Sequence, residues 1–447
     1  MASDLLSIGA SGARAARSAL DVTAQNIANA ATDGYVRRSV SMEEVTVAAG
    51  KLSGGNLSLS GVRVGGITRN ADMFRQLEVR RTGSDFARAT AELKGLQNIE
   101  TSVEQAGIFQ AITEYEASLQ QLAADPADSS LRAAVIASAQ TLAQKFNIAD
   151  SSLTSATDGM RFEAQADTDL AEVLGGELAR VNLRLTRAGA GSSDRAALLD
   201  QRDTLLERMS GIANIATEFA ADGSVTVKLG GTSGPVFVSG GEVGIIGMTT
   251  AADGTVSFDM NGAPLALTGG SLFGAALALK EADGVRGRLD AIADGIAATV
   301  NDAQTSGSTL RGTPGEPLFV GTGAAGIRLR DSNPTGYDIA TAGAGQPEGS
   351  RDGGNLAALR QTLARLGPAT QTNDLLFDIS AKVQSRTLTH EALDTITASA
   401  RLTLEQQAGV DLDTEATNLI RYQQAFQASG RAMQIATELF DTLIGIG

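Results

Sequence analysis

The residues from Val410 to Gly447 constrain the fold more than any other stretch, because they place a heptad of apolar positions at the very end of the chain. Steps of three and four pick out Leu412, Glu415, Leu419, Tyr422, Phe426, Ser429, Met433, Ala436, Phe440 and Leu443, and eight of these ten are residues that a helix can bury. Such a stripe needs a partner.

The amino terminus offers one. From Leu5 the same spacing gives Leu5, Ile8, Gly12, Ala15, Ala19, Val22 and Asn26, and the next column adds Leu6, Ala13, Ala16, Leu20 and Ile27. Small residues let a second backbone approach closely. Asp4 suits the positive end of a helix dipole, and Asn29 to Gly34 carries stop and turn chemistry before Tyr35. The simplest arrangement pairs the two chain ends as a coiled coil. Two readings of that pair stand side by side: two amphipathic helices of one globular bundle, or a separate module whose outer faces meet neighbouring subunits.

At 447 residues the chain should form two or three domains, since single cores seldom grow past roughly 250 to 300 residues. It has no Cys, which rules out disulfides, thiolate nucleophiles and cysteine metal sites. A formal net charge of -15 disfavours non-specific attraction to nucleic acid or an anionic membrane. Arg37-Arg38 and Arg80-Arg81 are the adjacent basic pairs and read as solvated turn or helix faces. The first thirty residues lack a basic start followed by an apolar run, so a cleaved secretory signal is not expected. Nowhere do 18 uncharged apolar residues run together to span a membrane.

Along the chain, Arg38 to Arg69 reads as extended and turn-rich, and Ala71 to Glu78 as a short mixed segment. The spacing of Leu93, Leu96, Ile99, Val103, Ala106 and Leu119 predicts a nearly continuous helix from Phe86 to Leu122, about 55 Å long at 1.5 Å per residue. Further helices are expected from Ser129 to Ile148, from about Thr168 to Ala188 and from Asp194 to Met209. From Asp222 the period changes to two, with Asp222-Gly223, Asp253-Gly254 and Asn261-Gly262 as hairpin turns, predicting one small antiparallel β unit. Helix resumes around Ser271 to Val300. Ala303 to Ser350 is irregular, and helices return beyond Asn355 with breaks at Gly367-Pro368 and Gly409.

The chemistry-bearing residues assemble no site. There is no GxxxxGK[ST] loop, and the one histidine, His390, is followed four residues later by Asp394 where a zinc protease needs a second histidine. His390 also lies inside an expected long helix, away from any strained serine elbow. Asp200 and Asp203 sit among arginines and read as a solvated helix face. Asp411 and Asp413 lack calcium-loop spacing and fit the start of the last helix. Counting acids leaves a glycosidase pair open, although the absence of Trp and the four Tyr make an aromatic sugar groove improbable. The expected catalytic, cofactor and metal residues are therefore none.

Several separated segments carry a family resemblance. The stretch from Ser3 to Arg38 resembles the opening of flagellar axial proteins, an Ala/Gly/Leu helix leading into Asn26-Ile27, Asn29, Thr32, Gly34-Tyr35 and Arg37. That opening is shared by hook and rod proteins. LLDQRDTLLERMS from Leu198, DGSVTVKLGG from Asp222 and LDAIADGIAATVNDAQTSG from Leu289 resemble the interior of the hook-associated protein 1 family, the hook-filament junction proteins. The ending from Asn418, with Arg421-Tyr422-Gln423-Gln424 and Leu439 to Leu443, is similar to that family as well. Only Arg311 to Gly353 occupies the interval where longer relatives insert an outward β domain, which implies a slimmed molecule.

The resemblance and the periodicity together give a mainly α fold with smaller antiparallel β regions, elongated, its N- and C-terminal helices paired in a coiled coil. The expected divisions are 1-50, an axial helix and extended segment pairing with the C-terminus; 51-220, the first part of a long-helix rod domain; and 221-275, the β unit. They continue with 276-310, a rod helix; 311-353, a reduced outer domain; 354-408, returning helices; and 409-447, the C-terminal axial helix. The resemblance implies a structural, non-enzymatic junction protein of the extracellular flagellum. It would be exported without a cleaved signal, assisted by a chaperone at the C-terminal helix. Its implied partners are hook protein, a second hook-associated protein and copies of itself, with neither nucleic acid nor membrane insertion. A hook or rod protein is the alternative, and an extracellular enzyme on an axial scaffold the second. The expected assembly interface is Leu5, Ile8, Ala15, Ala19, Val22 and Asn26 with Leu412, Leu419, Tyr422, Phe426, Met433, Phe440 and Leu443. Without a partner, single helices are marginal in water, so the ends of a free monomer are expected to be poorly ordered.

Overall fold

The computed structural model describes residues 2–45, 61–331 and 334–445, with side chains from 5 to 442 within those limits. The strand pattern expected across residues 46–60 lies outside the described residues. In chain order, α1 (Ala2–Ala28) leads to a two-stranded antiparallel ribbon, β1 (Arg38–Glu44) and β2 (Val62–Arg69). Then come α2 (Met73–Glu104), α3 (Ile108–Leu122), α4 (Ser129–Leu185) and α5 (Ser193–Ile212). Seven strands follow: β3 (Ile215–Phe219), β4 (Val225–Leu229), β5 (Val236–Ser239), β6 (Glu242–Val243), β7 (Ile246–Thr250), β8 (Val256–Met260) and β9 (Ala263–Leu265). After α6 (Gly270–Ser306) lie β10 (Gly307–Ser308), β11 (Phe319–Val320), α7 (Gly323–Gly326), β12 (Arg328–Leu329) and β13 (Ala342–Gly343). The chain closes with α8 (Gly354–Leu366), α9 (Pro368–Ala408) and α10 (Leu412–Gly445).

Two compact units result, one formed by Met1–Ser84, Leu170–Ile245 and Asp394–Gly447, the other by Asp85–Asp169 and Ile246–Leu393. In the second, α2, α3, α4, α6, α8 and α9 share one core that includes Ile99, Tyr115, Phe146, Leu153, Leu289 and Leu375. Each such apolar side chain contributes roughly 1.5 to 3 kcal/mol when fully buried. Burial also pushes the Tyr115 hydroxyl well above its ordinary pKa. Arg132 is fully buried in this unit, donating to the carbonyls of Pro126 (2.6 Å), Gly336 (3.1 Å) and Ile339 (2.8 Å) and to the Thr341 hydroxyl (2.7 Å). A guanidinium held this way anchors an irregular loop without any carboxylate.

Several expected boundaries are corrected. The helix expected from Phe86 to Leu122 starts earlier, at Met73, because Asp72 caps it by accepting from the amides of Phe74 and Arg75 at 2.9 and 3.1 Å. It is also broken, because Gly107 takes the left-handed conformation (φ 70°) between α2 and α3. The two helices expected on either side of residues 149–167 are one, α4, of 57 residues. Ala149, Leu153, Thr157, Met160, Ala164 and Thr168 carry its buried stripe at spacings of three and four, a signal masked by small and polar residue types.

The single β unit expected over 221-275 is two antiparallel sheets, β3-β4-β5-β6 in the first unit and β7-β8-β9 in the second. Alternation shows that strands exist but not which strands share a sheet. Asn261-Gly262 does form the expected turn, with both residues at positive φ. The first sheet is tied to α4 through Asn182, whose amide exchanges two 2.9 Å hydrogen bonds with the Val225 main chain.

Candidate assembly interface

α1 and α10 pack against each other. Their direction is antiparallel: a Cβ on Gly9 would lie 2.7 Å from Met433 Cγ, one on Gly12 would lie 2.8 Å from Ser429 Oγ, and Asn26 meets Glu415. As numbers rise along α1 they fall along α10. The glycines let the backbones close up, and Ala15, Ala16 and Ala19, each at most 4% exposed, continue the tight seam.

Where the seam ends, polar groups replace apolar ones. Glu415 is 1% exposed and accepts from Arg37 Nε at 2.7 Å and from Asn26 Nδ2 at 3.2 Å. The Asn26 amide also donates to the Arg38 carbonyl (2.8 Å), while its oxygen accepts from the Arg38 amide (3.1 Å) and the Tyr35 hydroxyl (2.9 Å). Thus the motif residues Asn26, Tyr35 and Arg37 form one knot with the start of α10. Burial pushes the Tyr35 hydroxyl above its ordinary pKa, with the neighbouring Arg38 cation pulling the other way.

Behind that knot lies a buried ion network, which corrects two expectations of solvated charge. Arg38 and Arg69 are directly opposite each other on the ribbon, an unfavourable placement for like charges unless an anion lies between them. Asp200 of α5 is that anion, 2.8 Å from Arg38 and 2.7 Å from Arg69. Asp203 accepts from Arg69 (2.8 Å), Arg202 (2.6 Å) and Gln76 (3.0 Å). Burial pushes the Asp200 carboxyl above its ordinary pKa against the pull of Arg69 and Arg38. Asp200 and Asp203 are therefore structural clamps that fix the ribbon to α5, and Arg38 and Arg80 are buried rather than solvated. Among the described residues no cluster of His, Cys, Asp or Glu is arranged to hold a metal ion, and no helix is long and apolar enough to cross a membrane.

The expected interface residues fall into three groups. Ala15, Ala19, Val22 and Asn26 are buried in the seam, and Leu419, Tyr422 and Met433 are half-buried. Leu5, Ile8, Leu412, Phe426 and Phe440 are exposed, joined by Ile420, Ile435 and Leu439 on α10. The side chain of Leu443 lies outside the described residues. Within the heptad stripe the two fully buried positions are Glu415 and Ala436, at 1% and 0% exposure. A helix as slim as α1 covers a narrow strip, so the bulky residues of the stripe stay half-buried or exposed. The sequence placed Glu415 in the stripe without a role, left Gly9 unremarked and showed Asp200 only as a solvated face; the two arginines that end the turn-rich stretch, Arg38 and Arg69, were the available signal.

Three family models match this chain: the flagellar hook-associated protein FlgK helical domain at residues 93–319, the flagella basal body rod protein model at 6–35, and the flagellar basal body rod FlgEFG protein C-terminal model at 405–446. Flagellar hook-associated protein 1 of Bacillus subtilis is 26% identical, the match covering 97% of this chain and 96% of that one. The same-named protein of Escherichia coli is 26% identical over 51% of this chain and 42% of its own length. A solved flagellar hook junction protein, FlgK from Burkholderia pseudomallei, aligns with a TM-score of 0.45 at 25% identity, covering 54% of this chain and 46% of that one. The rod-protein models match the two terminal segments that build the α1–α10 seam, and the hook-associated model spans just over half the chain between them. On that match the chain belongs to the family of flagellar hook-associated proteins that carry the FlgK helical domain.

Proposed function

We propose that the chain is a structural subunit of the junction between flagellar hook and filament, and that the α1–α10 pair is the part that binds its neighbours. The observation that carries this reading is the exposure of large apolar side chains on a helix pair whose own seam is already closed. Phe426, Phe440 and Leu412 are 43%, 46% and 53% exposed, and Leu5 and Ile8 add to the same pair of helices. Monomeric surfaces rarely keep so much bulk in the open without a partner. Copies of the same chain, together with hook protein and a second hook-associated protein, are the partners this reading assigns. A chaperone holding the open face of α10 before assembly would cover the same residues.

No reaction enters the reading: the buried acids are occupied by arginines, and the relatives carry names of assembly. The match to the hook-associated helical domain favours a junction role over that of a hook or rod protein. The test is complementation of a strain lacking its own junction protein, with electron microscopy of the cell surface. The intact chain should restore filaments. Hooks that stay bare with a stable, exported chain would overturn the proposal.

A further inference from the structure

Arg80 of α2 is 4% exposed, yet its guanidinium forms no hydrogen bond or ion pair with any described residue. It lines a cavity of about 680 Å³ in the first unit, walled by the turn at residues 30–36, by α2, α5 and the last turns of α9, and by Val410 and Asp411. The acids whose fields reach it are engaged elsewhere, Asp203 with Arg69, Arg202 and Gln76, and Glu207 with Arg401. The Arg80 Nε is buried without an acceptor, which is a cost to the fold because its removal from water is not repaid by a hydrogen bond, and the rest of the guanidinium opens on the cavity. Arg132 shows how this chain satisfies such a group: the Pro126 carbonyl of the turn before α4, and two carbonyls and a hydroxyl from residues 336–341, close over it.

We propose that Arg80 is a docking residue, and that main-chain carbonyl oxygens from an extended segment of a second copy of this chain enter the cavity and accept its hydrogen bonds. A carboxylate fits less well. The walls already carry Asp33, Asp203, Glu207, Glu405 and Asp411 against Arg80 and Arg401, so another anion meets net repulsion whereas a neutral carbonyl does not. The second copy is the occupant because the cavity adjoins the helix pair read above as the assembly surface: residues 30–36 follow α1, and Asp411 immediately precedes the exposed Leu412 of α10. The inference therefore rests on the assembly reading above.

Two experiments on the full chain test it. Arg80→Met removes the charge and keeps the length of the side chain. The free protein should melt no lower than wild type, or about 2 °C higher, while filament restoration is lost. Arg80→Lys, which keeps the charge but not the planar fork, should restore filaments in part. Normal filaments with Arg80→Met overturn the proposal, and so does a clear fall in its melting temperature, which would mean that the fold itself uses the charge. In parallel, a photo-crosslinking residue at Gln406, which is exposed on the cavity wall, should give an adduct of two copies in isolated hook-filament assemblies. No adduct, or one solely with another flagellar protein, overturns the choice of occupant. Failure of the assembly reading would be seen separately, as bare hooks with the unmodified chain.

Discussion

Asn26 and Glu415, 389 residues apart in sequence, meet at 3.2 Å and join the end of α1 to the start of α10. With Arg37 they replace the apolar contacts of the seam by a buried polar knot at one end. Sliding α10 by one turn would leave the Glu415 carboxylate and the Arg37 guanidinium unpaired, so the knot selects one antiparallel register among several that the alanines would accept.

Removing Glu415 should therefore cost more than removing any exposed apolar residue of the same helix. Glu415→Ala leaves Arg37 Nε without its acceptor and the Asn26 amide with the Arg38 carbonyl alone, and the expected loss is about 1–3 kcal/mol. Glu415→Gln, which keeps shape and an acceptor oxygen, should cost less. Denaturant midpoints of the two variants test this, and equal midpoints for Glu415→Ala and wild type would contradict it.

Protection against amide exchange should be graded along α1 of the free chain. Residues 15–26 face the seam and the knot, whereas Leu5 and Ile8 are 47% and 37% exposed. Exchange in the first two turns should be fast and near Val22 slow. This refines the expectation of disordered ends, since the two helices cover each other within one chain. Uniformly fast exchange from residue 5 to residue 27 would mean that the pair forms only on assembly.

Two phenylalanines should behave in opposite ways. Phe426→Asp changes a side chain that is 43% exposed, so the melting temperature of the monomer should hardly move while junction assembly fails. Phe146→Ala empties a fully buried position in the second unit and should destabilise it by about 3–5 kcal/mol. Calorimetry and complementation measured on both variants separate folding from assembly.

The start of α10 should loosen in acid. The Thr414 hydroxyl, followed by the amides of Thr414 and Asp413, holds the exposed Asp411 carboxyl below its ordinary value of 3.8. A carboxylate whose folded pKa is depressed contributes its stability above the unfolded value and loses it as pH falls through the lower folded one. Protection of the amides of Asp413 to Ala416, relative to an unfolded chain at the same pH, should thus fall below about pH 4. In Asp411→Ala that protection should already be low at neutral pH and change little with acid.

Much of this architecture is legible in local chemistry. The terminal helices follow from heptads of apolar and small residues, α5 from the leucines of LLDQRDTLLERMS, and the turn at Asn261-Gly262 from residues that tolerate positive φ. These signals are carried by neighbours within a few positions, which is why they survive without a fold. The same locality explains the failures. The middle of α4 hides its stripe among serines and alanines, and nothing within a few residues of Ile245 tells that one sheet ends there and another begins.

The sequence by itself determined that both chain ends are amphipathic helices in need of partners and that the interior resembles hook-associated proteins, because spacing and residue type are local and additive. Only the tertiary structure decided which side of each stripe is spent inside the chain. Backbone approach at Gly9 and Gly12 narrows the seam, so it buries alanines and Glu415 and leaves Phe426 and Phe440 outside. It likewise turned Arg38, Arg69 and Asp200 from apparent surface charges into a clamp, since ion pairing across 131 residues between Arg69 and Asp200 depends on how the ribbon docks and not on any local pattern.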